Sequence, residues 1–238
     1  MGFIQDIRPV FNKTKIKLRD KIHEANDIYT FIFDKSDALN WKAGQHGVFN
    51  ITHRKVANPT RPFSIASAPF ENKIQLSMQI SESPSEFKQA MLELEPGMEM
   101  DMRGPIGPMY VDTPQQPILF IAAGLGITPF RAILKDLANR NTYEAVYHLF
   151  YINHSEVFLY ADELDELSSK HPSIRVQYYQ DRNILYKDIS NYATYQGNQG
   201  YYYVAGSQAM VGSISDLLRS NNIKKGHIKK DIFRGYKS

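Results

Sequence analysis

The chain has 238 residues and not one cysteine. That absence excludes disulfides, cysteine-ligated iron–sulfur clusters, thiol nucleophiles and CxxC redox chemistry together. Any electron transfer must then use a bound organic cofactor or a partner protein. Long hydrophobic runs are missing too. The longest, Ile118 to Phe130, is interrupted by glycine and proline and falls short of the ~20 residues a membrane-spanning helix needs. The N-terminal MGFIQDIRPVFNKTK has no uninterrupted apolar core of the kind a signal peptide carries. The chain therefore reads as soluble and cytoplasmic, and the sequons at Asn12, Asn50 and Asn153 carry no meaning. The 7 histidines form no HExxH and no carboxylate–histidine cluster at ligand spacing, which speaks against a metal. There is no GxSxG to support acyl transfer, and no internal repeat or low-complexity tract.

What is present is an ordinary globular composition. Hydrophobic residues make up 42% and charged ones 22%, with 15 Tyr and 13 Phe, enough to bury a core. The length suits one large domain or two of about 100 to 130 residues. The net charge of +3 is mildly basic, with Lys224, Lys225, Lys229 and Lys230 concentrated near the C-terminus. Such a cluster is either a solvated face or a means of steering an acidic partner or anionic cofactor. No nucleic-acid recognition motif accompanies it.

Hydrophobic periodicity divides the chain. The first half is β-rich, with strands expected over Tyr29–Phe33, His46–Ile51 and Lys73–Ile80, where Ile74, Leu76, Met78 and Ile80 alternate as one buried face. Ser85–Leu94 changes period, since Phe87, Ala90, Met91 and Leu94 fall on one helical stripe. Met98, Met100 and Met102 then alternate as a strand ending at Gly104-Pro105. Thr113-Pro114-Gln115-Gln116-Pro117 reads as a linker. Beyond it strand and helix alternate: Ile118–Ala122, helix Pro129–Arg140, Val146–Tyr151, helix Tyr160–Ser168, Ile174–Tyr179, Tyr201–Ala205 and helix Gln208–Ser220. The expectation is a small antiparallel β-barrel domain followed by an α/β parallel-sheet (Rossmann-like) domain, whose ligands sit at the strands' carboxyl ends.

Four segments carry chemistry. After the strand Ile118–Ala122, Gly124-Leu125-Gly126-Ile127-Thr128-Pro129 is a glycine turn into a helix, with Thr128 expected as N-cap and Pro129 at the first helical position. Glycines let backbone approach a phosphate, and a helix N-terminus offers free amides and positive potential. The same residues also make a plain tight turn. Arg61-Pro62-Phe63-Ser64 joins a permanent cation, a flat ring and a hydroxyl. On an extended segment Arg61 and Phe63 share one face and Ser64 takes the other, though an exposed Arg and a core Phe on a strand would look alike. Ser83-Pro84-Ser85-Glu86 opens the short helix, so Ser85 is a helix cap or a second phosphate ligand. Val204-Ala205-Gly206-Ser207-Gln208 repeats the strand–glycine–helix theme, and Asp231, Phe233 and Tyr236 either reach the same site or belong to a terminal strand.

In this order the segments resemble the ferredoxin–NADP(H) reductase superfamily, over nearly the whole chain from Lys15 to Tyr236. Arg61, Phe63 and Ser64 match the R-x-Y/F-S motif of its flavin-binding barrel. Gly124, Gly126, Thr128 and Pro129 match G-G-x-G-x-T-P of its pyridine-nucleotide domain, and Ala205, Gly206 and Met210 match C/A-G-P-x-x-M. Gly104–Gly107 resembles the family's boundary segment, and Asp231–Tyr236 its flavin-facing C-terminus. The resemblance implies an FAD-binding barrel domain over residues 10–113 and an NAD(P)-binding domain over 117–238. It implies that Arg61 neutralises flavin phosphate, that Phe63 packs on the isoalloxazine, that Pro62 belongs to the same cofactor-binding segment and that Ser64 hydrogen-bonds near N5. Gly124, Gly126, Thr128 and Pro129 would hold the nucleotide, and Ala205 and Gly206 the nicotinamide. Ser64 and Thr128 are then the residues closest to the reaction. Phe63 stands where Tyr is commoner, Ala123 where the first glycine falls, Ala205 where many members have cysteine and Ser207 where they have proline.

The function implied is an FAD-dependent NAD(P)H oxidoreductase that passes electrons to a separate acceptor: a protein carrier, a quinone, a ferric chelate or free flavin. The C-terminal lysines favour an acidic electron-carrier protein. The second nucleotide is NADH or NADPH. Asn153-His154-Ser155 provides no arginine for a 2′-phosphate, and Asp181 beside Arg182 disfavours an anion, a lean toward NADH. Two other readings stay open, a flavin-binding electron-transfer subunit of a larger complex and a regulatory module that has lost its flavin.

Overall fold

The computed structural model describes residues 13–112, 115–140, 145–155 and 157–233. The chain divides into two compact units, with the break between Tyr110 and Val111. Tyr236 and the first two linker residues, Thr113 and Pro114, lie outside the described residues.

The first unit is a six-stranded antiparallel sheet. Its strands are β1 (Lys13–Ala25), β2 (Ile28–Asp34), β3 (His46–Asn50), β4 (Thr60–Ser64), β5 (Ile74–Gln79) and β6 (Glu99–Ile106), with helix α1 (Glu86–Glu93) between β5 and β6. They run in the order β4-β3-β6-β1-β2-β5, so the sheet is curled and open, with β4 and β5 as its edges. The expected barrel is in this sense incomplete. One apolar cluster fills the curl, including Ile16, Leu18, Phe31, Phe33, Phe49, Leu76, Met100 and Met102, and α1 adds Phe87, Ala90 and Met91.

Three differences from the periodicity have physical causes. β1 is a long strand whose outward residues Lys13, Lys15, Lys17 and Arg19 hide an inward pair, Ile16 and Leu18. Three of those cations face acids across the sheet: Lys13 meets Asp101 at 2.7 Å, Lys15 meets Glu99 at 2.7 Å, and Arg19 pairs with Asp34. β5 is covered on both faces, because Gln75 and Ser77 are 4% and 7% exposed alongside the buried Ile74, Leu76 and Met78. β6 continues through Gly104-Pro105 to Ile106, which pairs with His46 of β3.

The second unit is a five-stranded parallel sheet, β7 (Ile118–Ala123), β8 (Tyr147–Ile152), β9 (Ile174–Tyr179), β10 (Tyr201–Ser207) and β11 (Ile228–Phe233), in the order β11-β10-β7-β8-β9. Its helices are α2 (Ile127–Asn139), α3 (Ala161–Lys170), α4 (Arg182–Gln196) and α5 (Gln208–Ser220). Helices on both faces explain why β7 has no polar side: Ile118 through Ala122 are all at most 1% exposed. Leu119 and Ile121 join the cluster of α4 and α5. On the other face Phe120 meets Phe130 of α2 with ring centroids 5.1 Å apart.

Helix α4 carries no strong sequence signal. Its stripe is only Leu185, Ile189 and Ala193, and Tyr195 on its far side is 89% exposed. Its start is nevertheless written in Asp181, whose carboxylate accepts from the amides of Asn183 at 2.6 Å and Ile184 at 3.3 Å.

The hydroxyls of Thr30 and Ser77 lie 2.6 Å apart between β2 and β5, at 0% and 7% exposure. Ser77→Ala is expected to cost about 1–3 kcal/mol by stranding the Thr30 hydroxyl. Adding Thr30→Val, which removes both hydroxyls at nearly constant shape, should return part of that loss in urea denaturation. A double variant weaker than the single one would contradict this account.

Candidate functional site

Each unit holds part of the predicted constellation. In the first, the extended β4 puts Arg61 and Phe63 on one face, half-buried, and Ser64 on the other at 9% exposure. Pro62 is exposed between them. Register fixes the neighbours, since Ser64 lies opposite His46 and Phe63 opposite Gly47. The Arg61 guanidinium donates to the carbonyls of Thr60 at 2.9 Å and Asn58 at 3.3 Å, which fixes its direction.

Beneath Arg61 and Phe63 lies a residue that the sequence reading counted only as core. The Phe87 ring of α1 stacks on Phe63 with centroids 5.7 Å apart at 29°, and the Arg61 guanidinium carbon sits 5.9 Å above it. Phe49 closes the other edge of Phe63 at 6.2 Å. A cation and one half-buried ring thus share a surface, with the buried Phe87 ring beneath them. The signal for Phe87 was its position in the first turn of a helix that opens next to the Ser85 motif.

Ser85 occupies the N-cap position of α1, but its side chain makes no capping bond. The first amides of α1 therefore have no side-chain cap and remain suited to an anion. The adjoining loop of residues 51–59 is tied to the same helix. Arg54 donates to the Glu86 carbonyl at 3.2 Å and pairs with Glu93 at 2.9 Å, and Glu86 accepts from the Ala57 amide at 2.8 Å. The donor set (Arg61, uncapped α1 amides, stacked rings) fits a phosphate-bearing aromatic cofactor such as FAD.

In the second unit, the structure brings together two glycine segments some eighty residues apart in the chain. Gly124–Gly126 is a short 3-10 turn running directly into α2. A Cβ on Gly126 would lie 2.1 Å from the Ala205 carbonyl oxygen and 2.9 Å from the Gly206 nitrogen. A Cβ on Gly206, whose φ is +154°, would lie 3.0 Å from the Ala123 Cβ and 3.3 Å from its carbonyl oxygen. The two turns interlock. Gly124 differs: its φ is +54°, yet an added Cβ would meet nothing within 4 Å. Gly126 is thus demanded by packing and Gly206 by its positive φ beside a tight contact, and Gly124 is the one that leaves open space over the turn.

Thr128 is not the N-cap of α2. The 3-10 turn leads without a break into the helix, so Thr128 is its second residue, 2% exposed, and its hydroxyl donates back to the Leu125 carbonyl at 3.0 Å. Pro129 is likewise inside the helix and buried. Both stiffen the turn from behind. On the opposite side, β10 and β11 pair Ala205 with Asp231, Gly206 with Ile232 and Ser207 with Phe233, so the C-terminal candidates stand beside the second glycine motif. Ser207 caps α5 by accepting from the Met210 amide at 3.4 Å.

Around the turns charge is balanced away from the backbone. Arg131, 2% exposed, is held by Glu163 at 2.6 Å and lies 5.0 Å from the Tyr160 ring centroid, locking α3 to α2. At the end of β9, burial and then the carboxylates of Asp165 and Asp188 push the phenols of Tyr178 and Tyr179 upward, so both remain neutral donors. Among the described residues no group of three or more His, Cys, Asp or Glu is placed to hold a metal. No helix among them is long and apolar enough to cross a membrane.

Residues 120–216 match the family model of the oxidoreductase NAD-binding domain. The chain is 21% identical over 209 residues to the toluate 1,2-dioxygenase electron transfer component of Pseudomonas putida, covering 84% of this chain and 61% of that one. It is 26% identical over 143 residues to methane monooxygenase component C of Methylosinus trichosporium, covering 59% of this chain and 41% of that one. The chain thus spans roughly two- to three-fifths of these curated relatives. Among solved structures, ferredoxin–NADP+ reductase from Plasmodium falciparum shares the fold with a TM-score of 0.82 at 19% identity, over 96% of this chain and 99% of that one.

The glycine geometry makes a two-part prediction. Gly126→Ala should destabilise the second unit by more than about 3 kcal/mol in thermal denaturation, since backbone must move to admit the methyl. Gly124→Ala should cost only about 1–2 kcal/mol for its left-handed backbone, and should weaken pyridine-nucleotide binding in a fluorescence titration. A well-tolerated Gly126→Ala, or unchanged binding in Gly124→Ala, would contradict the division of labour.

Proposed function

We propose that this chain is a flavin-dependent oxidoreductase of the ferredoxin–NADP(H) reductase-like superfamily that takes hydride from NAD(P)H onto FAD and delivers the electrons to a separate acceptor. The observation that carries this reading is the interlocked pair of glycine turns at the carboxyl ends of β7 and β10, with open space over Gly124. Residues 10–113 take the part of the FAD-binding domain and 117–238 that of the NAD(P)-binding domain.

FAD, when bound, supplies the redox chemistry by accepting a hydride and releasing its electrons singly or as a pair. The protein's task is placement and charge neutralisation rather than acid–base catalysis. Arg61, aimed by two backbone carbonyls, neutralises phosphate. Phe63, backed by Phe87, gives the ring system a flat apolar wall with Pro62 at its margin. Ser64 would offer its hydroxyl to the flavin N5 from the other face of β4. The uncapped amides of α1 at Ser85 take the second phosphate, which favours FAD over a mononucleotide flavin. On the nucleotide side, Gly124 admits the pyrophosphate, and Thr128 and Pro129 hold the turn rigid. Ala205 and Gly206 offer a backbone surface to the nicotinamide, with Asp231 and Phe233 beside them.

The acceptor is a separate protein in this reading, as the names of two relatives, an electron transfer component and a monooxygenase component, suggest. Lys224, Lys225, Lys229 and Lys230 suit an acidic carrier, and we place the protein in the cytoplasm.

The test is an anaerobic visible spectrum of the FAD-reconstituted protein before and after stoichiometric NADH or NADPH. Bleaching within seconds is expected. Arg61→Ala should weaken FAD binding by about 1.5–3 kcal/mol while leaving far-UV circular dichroism unchanged. Flavin that binds but stays oxidised with both nucleotides would favour a non-catalytic electron-transfer subunit, and a protein that binds no flavin would overturn the assignment.

A further inference from the structure

Arg61 and Phe63 rest on Phe87, but the direction of the guanidinium is set from the side. Arg61 donates through Nη1 to two carbonyls of different standing. That of Thr60, at 2.9 Å, belongs to β4 and is held by the sheet. That of Asn58, at 3.3 Å, belongs to the loop of residues 51–59, so its place depends on what holds the loop. The base of the loop is closed where the Ile51 amide donates to the Pro59 carbonyl and the Thr60 hydroxyl to the Asn50 side chain, both at 2.9 Å. Val56 pins its middle by entering the core at 7% exposure.

Ala57 and Asn58 themselves are exposed. Glu86, the first residue of α1, ties them down: its carboxylate accepts from the Ala57 amide at 2.8 Å, one residue before the carbonyl that aims Arg61. Arg54 makes a second tie between the same loop and helix, donating to the Glu86 carbonyl at 3.2 Å and standing 2.9 Å from the Glu93 carboxylate. An acid at this place runs against an anion site. Glu86 opens the helix whose first amides are proposed to take a phosphate, and its charge would repel one. An acidic residue in a first helical turn has a plain role, stabilising the helix end through its charge. That role does not require the side chain to meet a loop amide 29 positions earlier in the chain.

We propose that Glu86 is a positioning residue: by accepting from the Ala57 amide it fixes the Asn58 carbonyl, and through that carbonyl it aims the Arg61 guanidinium at the flavin phosphate. The assignment rests on the function proposed above. A long side chain aimed before its ligand arrives loses less freedom on binding. What counts is then the reach of the acceptor oxygen, while the negative charge is a cost. Substitution separates the two. Glutamine keeps the reach and an acceptor oxygen without the charge. Aspartate keeps the charge at the helix start but is one methylene too short for the loop.

The test is titration of the full chain with FAD, followed by flavin fluorescence, in the wild type and its variants. Glu86→Ala and Glu86→Asp should each weaken FAD binding by about three- to tenfold, the scale of one hydrogen bond. Glu86→Gln should bind within about twofold of the wild type, or more tightly because a repulsion is gone. In an Arg61→Ala background Glu86→Ala should add less than about twofold, since the two residues act in series. A helix-charge role gives the reverse order, with aspartate as good as glutamate and glutamine as poor as alanine, and that order would overturn the proposal. So would unchanged FAD binding in Glu86→Ala, or a full-sized loss on top of Arg61→Ala. Each of these leaves the proposed function standing, whereas a wild type that binds no FAD would overturn both.

Discussion

The second unit is organised around a backbone contact that only glycine permits. Gly126 and Gly206 let the turn after β7 and the end of β10 close on each other, to the point where a single methyl would overlap a carbonyl oxygen. Everything useful on that edge follows from this contact. It sets the direction in which α2 leaves the sheet, and it places Ala205 and, through the β10–β11 register, Asp231 beside the turn. It also leaves Gly124, with its left-handed backbone, facing open space. Thr128 and the Arg131–Glu163 pair then brace the arrangement from behind without entering it.

The first unit solves a different problem with different means. An open antiparallel sheet has two edges, and β4 is one of them. The candidate residues sit on that edge strand, and their precision comes from support beneath rather than from pairing on both sides. Phe87 from α1 lies under Phe63 and Arg61, Phe49 flanks Phe63, and the carbonyls of Asn58 and Thr60 aim the guanidinium. Because α1 both props the ring and has no side-chain cap at Ser85, one eight-residue helix joins packing to the proposed recognition.

Legibility in the sequence followed the strength of the local pattern. The helix Gln208–Ser220 was readable to the residue, because Ser207 caps it and Met210, Ile214 and Leu218 form a clear stripe. The fifteen residues of α4 were not, since this helix on the sheet's face beside α5 buries only Leu185, Ile189 and Ala193 fully and can be polar elsewhere. β1 was hidden by its outward cations, whose acidic partners come from β2 and β6 and cannot be seen along a single strand. Thr128 looked like a cap because a threonine before a proline usually is one, but the preceding 3-10 turn had already begun the helix.

The sequence by itself determined the two-part architecture, the absence of thiol chemistry, and the residue types at each candidate position, because composition, periodicity and short motifs are local properties of a chain. Only the tertiary structure decided which glycines serve packing and which opens toward a ligand, which ring lies beneath Arg61, and whether a given carboxylate is spent on a helix end. Those depend on distances between segments far apart in the chain, and such distances are settled when strands pair and helices dock, not by the order of the residues along any one of them.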